Sequence, residues 1–426
     1  MDDAWVFLRK GSGGAMTLLD RRTILAGLGG LAANSFFATV YAQNRGRVRI
    51  TEVRQVPLKL IRPVGTYPDF RGNPREVNIG GGAFLEVHTD QGIVGIGPDT
   101  DPSLLPLINT VLKGQDPFDI NLLAARLFNL PTGNNTVSTP VRYRGSASAE
   151  IAVWDLIGKI ANQPLYKLWG GGRERIAAYA SMLRLSTPEE RAAQALAQKE
   201  AGWKAIKLRA GFANMRDDIR LVEQVRKAVG DDFVIMVDGN KAGLGQGGDQ
   251  GVRWDFTRAM KTALAYQEMG VYLLEEPLNR YDIDHLVELN KGLSMHLAGG
   301  EGNRGMPEFR ALLESGAFDI VQPEILIDGP IHMHKVANMA ESMHKMCMPH
   351  QGDSRLATIC ILHQIASWPE IVSPWFEIFN DRPVGDYTHP FAIFENPPML
   401  AKNGTFAPPQ GPGLGVTIRE DYVARA

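Results

Sequence analysis

From about residue 176 onward the chain repeats one short theme, an apolar run of a few residues followed by a stretch with helical periodicity. The runs fall at 178–182, 205–208, 233–237, 271–274, 294–298, 318–321, 345–348 and 373–376. Segments this short and this apolar suit strands buried on both faces, the state of a parallel sheet covered by helices. Eight strand–helix units within about 200 residues predict a closed β/α barrel. The alternative is an open doubly wound sheet. No glycine-rich dinucleotide loop follows a first strand, and eight units favour closure.

The runs end in polar residues that keep a common phase. Lys207 and Arg209 close the second run, and Asp238 and Asn240 the third. Glu275 and Glu276 follow the fourth, Glu301 the fifth, Glu324 the sixth, His350 the seventh and Glu377 the eighth. From Lys207 the steps are 31, 37, 26, 23, 26 and 27 residues, close to one strand–helix unit each. Scattered surface charges would not keep that phase. At the carboxyl ends of successive strands such residues meet in the mouth of the barrel, where barrel enzymes keep their chemistry.

Three oxygen donors on adjacent strands, Asp238, Glu275 and Glu301, repel one another in a confined site and call for a cation. A hard divalent ion such as Mg²⁺ suits an all-oxygen set and keeps waters to exchange for substrate, whereas zinc recruits His or Cys. Taken singly, each could be an ordinary carboxylate at a loop start. Asn240 is spaced to brace Asp238. His350 is the best proton-transfer residue, because its ordinary pKa is near neutral. Glu324, one strand earlier, could orient its other ring nitrogen; the bland alternative is a histidine capping the next helix. Lys207 and Arg209 share a strand face by their i, i+2 spacing. They could hold a carboxylate or stabilise an enediolate, or simply pair with the carboxylates around them.

The chain before the barrel reads differently. A strand over 47–60, a Pro/Gly-rich loop over 61–78 and a hairpin over 83–96 precede helical patterns at 103–112, 117–128 and 146–161. This predicts an α+β region over 46–172, a barrel over 173–384 and a tail over 385–426 that returns to the first region. Residues 1–45 read as an export signal, with Arg21-Arg22, a Gly/Ala-rich apolar run over 23–40 and a small-residue cleavage site at Val40-Tyr41-Ala42. The paired arginines favour twin-arginine export to the periplasm. A retained anchor is the alternative, although 18 residues interrupted by glycines are marginal for a span, and Met16 is a candidate start. With 45 basic and 47 acidic residues among 426, net charge gives no support to a nucleic-acid or anionic-membrane partner. Two cysteines, Cys347 and Cys360, cannot form a disulfide framework and read as buried thiols.

The strings KAIKLRAG at 204–211, FVIMVDGN at 233–240, YLLEEP at 272–277, LAGGEG at 297–302, VQPE at 321–324, MPH at 348–350 and PWFEIF at 374–379 resemble the enolase superfamily, specifically its mandelate racemase subgroup. AEIAVWDLIGKIANQPLYKLWGG at 149–171 resembles the helix before the family's barrel, and GPGLGV at 411–416 resembles its tail. The resemblance implies a modified (β/α)₇β barrel with an α+β capping domain built from both chain ends. It implies Mg²⁺ on Asp238, Glu275 and Glu301, a reaction that begins by removing a proton α to a carboxylate, and a small-molecule carboxylate substrate. Lys207 matches a lysine near the substrate carboxylate, His350 the histidine of a His–carboxylate dyad, and Glu377 a glutamate that hydrogen-bonds the substrate. Homo-oligomers, dimer to octamer, are common in the family.

Three departures matter. Arg209 stands where the racemase has a second lysine base, and an arginine is a poor base at neutral pH. Glu324 replaces the usual dyad aspartate. A long glycine-rich segment, 241–254, follows the third strand. One base able to take the α proton and then assist loss of a β-hydroxyl favours dehydration of a sugar acid. A racemase, epimerase or cycloisomerase comes second, and a non-catalytic sugar-acid-binding protein third. Residues 62–78 match the family's mobile substrate loop, with Tyr67, Phe70 and Arg71 as candidate substrate contacts or, equally, residues that pack the cap. His332 and His334, two residues apart on a helix, do not face each other and read as packing residues rather than a metal pair.

Overall fold

The computed structural model describes residues 46–69, 72–130, 139–243, 252–352 and 355–424. The expected export segment, Phe70, Arg71 and most of the glycine-rich segment after the third barrel strand lie outside the described residues. The chain from Gly46 forms one compact unit.

The first part is a small sheet packed on helices. Strands β1 (Ile50–Pro57), β4 (Ala83–Thr89) and β5 (Val94–Pro98) form an antiparallel sheet in the order β1-β4-β5. Strand β4 alternates well enough to bury Phe84, Leu85 and Val87. Gly95 and Gly97 let β5 lie directly on the following long helix. A Cβ at either would meet Ala152 O at 2.3 Å or Ser148 O at 2.5 Å.

Residues 61–78, expected as a loop, instead pair as a two-stranded antiparallel ribbon, β2 (Leu60–Pro68) with β3 (Pro74–Gly80). The ribbon is held by backbone bonds and leaves most side chains exposed or half-buried. It therefore lacks the one-sided apolar pattern from which a strand is read. Its register slips between Leu60 and Arg62 and again between Pro63 and Gly65.

Helices α1 (Leu105–Leu112), α2 (Ile120–Phe128), α3 (Thr139–Ala161) and α4 (Leu165–Leu168) follow. Short 3₁₀ turns lead into α1 and α2. Asp101 and Asp116 start them by accepting from Ser103 N at 2.9 Å and Phe118 N at 3.0 Å, the usual satisfaction of free helix amides. Helix α3 begins earlier than the apolar pattern at 146–161.

The barrel then runs β6 (Ile176–Ser181), α5 (Pro188–Glu200), β7 (Ala205–Arg209), α6 (Met215–Val229), β8 (Val234–Asp238), α7 (Phe256–Glu268), β9 (Leu273–Glu275) and α8 (Ile283–Lys291). It continues β10 (His296–Gly299), α9 (Gly305–Ser315), β11 (Ile320–Val321), α10 (Ile325–Ser342), β12 (Met346–Cys347), α11 (Leu356–Ser367) and β13 (Trp375–Phe379). Each expected apolar run carries one of these strands. Seven strand–helix units and a last strand make the (β/α)₇β form.

All neighbouring pairs along β13-β6-β7-β8-β9-β10-β11-β12 are parallel. No ladder joins β12 to β13 among the described residues. Cys347 N donates to Val372 O at 2.8 Å, and Gln351 bridges the gap with its amide oxygen on Phe379 N at 2.9 Å.

After helix α12 (Thr388–Phe391), strand β14 (Thr405–Phe406) pairs antiparallel with the start of β6. The tail then crosses to the first region: Leu414 N donates to Asp155 Oδ1 at 2.7 Å and Ala424 N to Pro57 O at 2.9 Å. No helix among the described residues is long and apolar enough to cross a membrane.

Strand alternation stacks the barrel interior in layers. Tyr179, Ala205, Met236, Leu273, Ala298, Ile320 and Met348 pack as one buried cluster, with Trp375 against it. Two residues further along those strands come Ser181, Lys207, Asp238, Glu275, Gln322, His350 and Glu377. The apolar layer holds the strands, and the next pleat toward their carboxyl ends carries the chemistry. At β10 the chain turns at Gly300 (φ 116°), and Glu301 follows at the mouth.

Candidate active site

Lys207 is wholly buried, with Nζ 2.6 Å from Glu275 Oε2, 2.7 Å from Glu377 Oε1 and 4.0 Å from Asp238 Oδ2. Burial works to lower its pKa, but Glu275 and Glu377 outweigh burial and raise it well above the ordinary lysine value, so it stays an ammonium. Arg209, one pleat higher, donates to Asp238 Oδ2, to Asn240 Oδ1 at 3.0 Å and to Met182 O at 2.7 Å. Asn240 braces Asp238 from its own backbone N (2.8 Å) and Nδ2 (2.9 Å), in a left-handed conformation (φ 49°).

His350 lies between two carboxylates. Nδ1 is 2.7 Å from Glu324 Oε2, and Nε2 is 3.1 Å from Glu301 Oε2. Burial alone would depress the imidazole pKa; Glu301 and Glu324 overcome it and raise it to about 10. Glu324 also caps α10 by accepting from Leu326 N at 2.8 Å, which fixes its carboxylate. Glu377 accepts from Gln351 N at 3.0 Å. Burial would raise its pKa, but Lys207 and His350 hold it at about 2.

Asp238 and Glu275 end the adjacent strands β8 and β9 and Glu301 follows β10, with Asp238 and Ala298 both in register with Glu275. Burial raises Asp238, and burial with repulsion from Asp238 raises Glu275 to about 7. The neighbouring Glu276 is raised well above the usual carboxylate range by burial and by Glu301. Glu275 Oε1 is buried without a hydrogen-bond partner. A crowd of buried carboxylates with an unpartnered oxygen fits a hard divalent cation. The side chains themselves stand in an ion-paired arrangement, with Lys207 and Arg209 taking the negative charge. Among the described residues no three acidic, His or Cys side chains converge as a metal cage.

Above this layer opens a cavity of about 570 Å³. Arg209, Asn240, Glu301 and His350 reach it from below, and the β2–β3 ribbon covers it with Tyr67, Asp69 and Arg75. Burial, then Asp381, pushes the Tyr67 hydroxyl up to about 12, so it remains a neutral donor. Arg355, ahead of α11, donates to Gly81 O at 2.7 Å and Gly80 O at 3.0 Å and so ties the ribbon to the barrel.

Of the residues singled out in the sequence, Lys207, Arg209, Asp238, Asn240, Glu275, Glu301, Glu324, His350 and Glu377 come together, and Tyr67 faces them across the cavity. Arg71 lies outside the described residues. Sequence reasoning missed Gln322 and Gln351, which carry no charge. Counting two residues on from each interior apolar position would have found Gln322. His332 bonds the backbone of its own helix (Nδ1 to Asp328 O, 3.1 Å), and His334 Nδ1 accepts from Trp368 Nε1 at 3.0 Å, so both pack rather than bind metal. Cys347 and Cys360 are free buried thiols.

The family model described as "Enolase C-terminal domain-like" matches residues 190–422. The chain belongs to the enolase superfamily, in the mandelate racemase/muconate lactonizing enzyme family. This family member is 28% identical over 352 residues to an arabinonate dehydratase of Saccharolobus solfataricus, covering 79% of this chain and 87% of the relative. It is 28% identical over 357 residues to a D-galactarolactone cycloisomerase of Agrobacterium fabrum, covering 79% and 89%. Other relatives are named racemase and epimerase. The fold matches the crystal structure of a D-glucarate dehydratase from Agrobacterium tumefaciens complexed with magnesium, with a TM-score of 0.74 and 22% identity over 88% of this chain and 99% of that one. Enolase-superfamily relatives therefore span dehydratases, racemases, epimerases and cycloisomerases that share acid–base chemistry on carboxylic acids.

Proposed function

We propose that this enzyme is a Mg²⁺-dependent lyase that removes water from a sugar acid and releases a 2-keto-3-deoxy acid. The observation that carries the reading is the single proton-transfer group. His350 stands between Glu324 and Glu301, and the position of a second base holds Arg209, whose guanidinium keeps its proton.

A Mg²⁺ ion held by Asp238, Glu275 and Glu301 would stabilise negative charge on the substrate carboxylate. Lys207 and Arg209 place two fixed positive charges beside that carboxylate, where charge grows as the α-carbon ionises. Glu324 holds Nδ1 and leaves Nε2 as the working nitrogen. Neutral His350 Nε2 takes the α proton. The same nitrogen, now protonated, hands a proton to the β-hydroxyl as its C–O bond breaks and water leaves. The enol that remains tautomerises to the 2-keto acid. The field of Glu301 keeps a proton on Nε2, so offsetting the Glu301 charge frees the histidine to act as a base. The arabinonate dehydratase relative supports this reading.

A second reading, epimerisation or cycloisomerisation through the same first step, has the cycloisomerase relative in its favour. Incubating acid sugars with the Mg²⁺-supplemented protein in ²H₂O separates the two. A 2-keto product supports dehydration. Deuterium in recovered, isomerised substrate, with no 2-keto product from any acid sugar, refutes it.

A further inference from the structure

The interior layer contains an uncharged polar side chain that the proposed chemistry leaves unused. Gln322 follows β11 directly, and its backbone N–H donates to Gly299 O at 3.0 Å, so the chain is still extended there. Ile320, two residues earlier, packs in the central cluster. Glu324, two residues later, reaches His350. Strand alternation therefore sends the Gln322 side chain into the barrel, at the level of Lys207, Asp238, Glu275 and Glu377.

Gln322 is 0% exposed, and neither Oε1 nor Nε2 has a hydrogen-bond partner among the described residues. A buried amide left in this state costs the fold free energy that an apolar residue of the same size would not. Stability gives no reason for an amide here. A ligand does. The cations of the layer are already committed: Lys207 to Glu275 and Glu377, Arg209 to Asp238. The Gln322 amide is a donor with no such commitment, and it adds no charge to a crowded site.

We propose that Gln322 is a substrate-positioning residue whose Nε2–H donates to a carboxylate or hydroxyl oxygen of the bound hydroxy acid. The inference rests on the sugar-acid reading above and adds a contact to it. A buried water is the other group that can satisfy an amide, and the test separates the two.

Gln322→Met and Gln322→Glu are compared with the wild type in three measurements. These are the thermal midpoint without ligand, steady-state kinetics on an acid sugar that the wild type turns over, and calorimetric binding of oxalate, a planar mimic of an enediolate, to Mg²⁺-supplemented protein. Gln322→Met is expected to raise the midpoint by about 1–2 °C, while weakening oxalate binding and lowering kcat/KM by about 10- to 100-fold, the range for a hydrogen bond to a charged group. Gln322→Glu, similar in size but without the donor, is expected to lose at least as much binding. Should the methionine variant fail to fold, the glutamate variant carries the test. Unchanged oxalate affinity and kinetics in a folded variant, beside an active wild type, would mean that the amide holds only water and would overturn the proposal. A lowered midpoint with unchanged binding would assign it a structural role instead. If the wild type neither turns over any acid sugar nor binds oxalate, the sugar-acid reading itself fails and takes this inference with it.

Discussion

Replacing Lys207 with methionine isolates what holds the buried carboxylates in place. The ammonium is fully buried and lies 2.6 Å from Glu275 and 2.7 Å from Glu377. Removing one partner from a buried ionic cluster leaves uncompensated charge and typically costs about 3–5 kcal/mol. For a chain of this length that corresponds to a fall in thermal midpoint on the order of 4–6 °C. Adding Glu275→Gln and Glu377→Gln to Lys207→Met should recover most of the loss, because the charges left stranded become amides.

The pH dependence of this effect follows from Glu377. Burial pushes its pKa up, yet Lys207 and His350 hold it at about 2 in the folded protein, below the ordinary 4.5. A depressed carboxylate contributes stability that is present above its unfolded pKa and is lost as pH falls through the folded one. The gap between wild type and Lys207→Met should therefore be full at pH 7 and should narrow between pH 4.5 and 2. Urea unfolding followed by tryptophan fluorescence at several pH values measures it. A methionine variant as stable as the wild type at pH 7 would refute the reasoning, since the carboxylates would then be neutral in the fold without their lysine.

Three further outcomes are expected. His350→Asn should lower the thermal midpoint by no more than about 4–6 °C, because Glu301 and Glu324 lose the imidazolium between them, and should lose α-proton exchange into ²H₂O by about 10²–10⁴-fold while still folded; exchange at the wild-type rate would remove His350 from proton transfer. Glu324→Ala should lose about 1 kcal/mol with the α10 cap and lower turnover as well, whereas lowered stability with unchanged kcat would make Glu324 a cap only. His363 is held neutral, with burial pushing its pKa down to about 4, between Tyr166 N at 3.3 Å and Leu414 O at 3.1 Å. Its contribution is present above pH 6.5 and is lost as pH falls toward 4, on the order of 3 kcal/mol in full, and urea midpoints at pH 7 and pH 5 should differ less in His363→Phe than in the wild type.

The barrel was legible because two independent rhythms coincide in it. Each short apolar run recurs after about one strand–helix unit, and from the second run on each is closed by a residue that can ionise. A burial pattern and a chemical pattern in the same phase leave few other folds. The β2–β3 ribbon was not legible, because a strand read from sequence needs a buried face, and Leu60, Ile61 and Arg62 have none. The partners of the charged residues were not legible either. Spacing put Lys207, Arg209, Asp238 and Glu275 in one cup. It could not say that Lys207 would lie against Glu275 and Glu377 while Arg209 took Asp238, since that depends on side-chain reach across strands. Gln322 escaped for a simpler reason. Charged residues were sought, and an amide draws attention only when its missing partners can be counted.

The joint between β12 and β13 gives the barrel an unequal wall. Elsewhere neighbouring strands are riveted through main-chain ladders, but here, among the described residues, the Val372 carbonyl and the backbone and side chain of Gln351, bonded to Glu377 and Phe379, make the link. His350 stands on one side of this joint and Glu377 on the other, so any loosening there changes their spacing first. Deuterium uptake at the backbone amides of Cys347, Gln351 and Phe379 would report how firmly the two sides of the candidate site's wall are clasped.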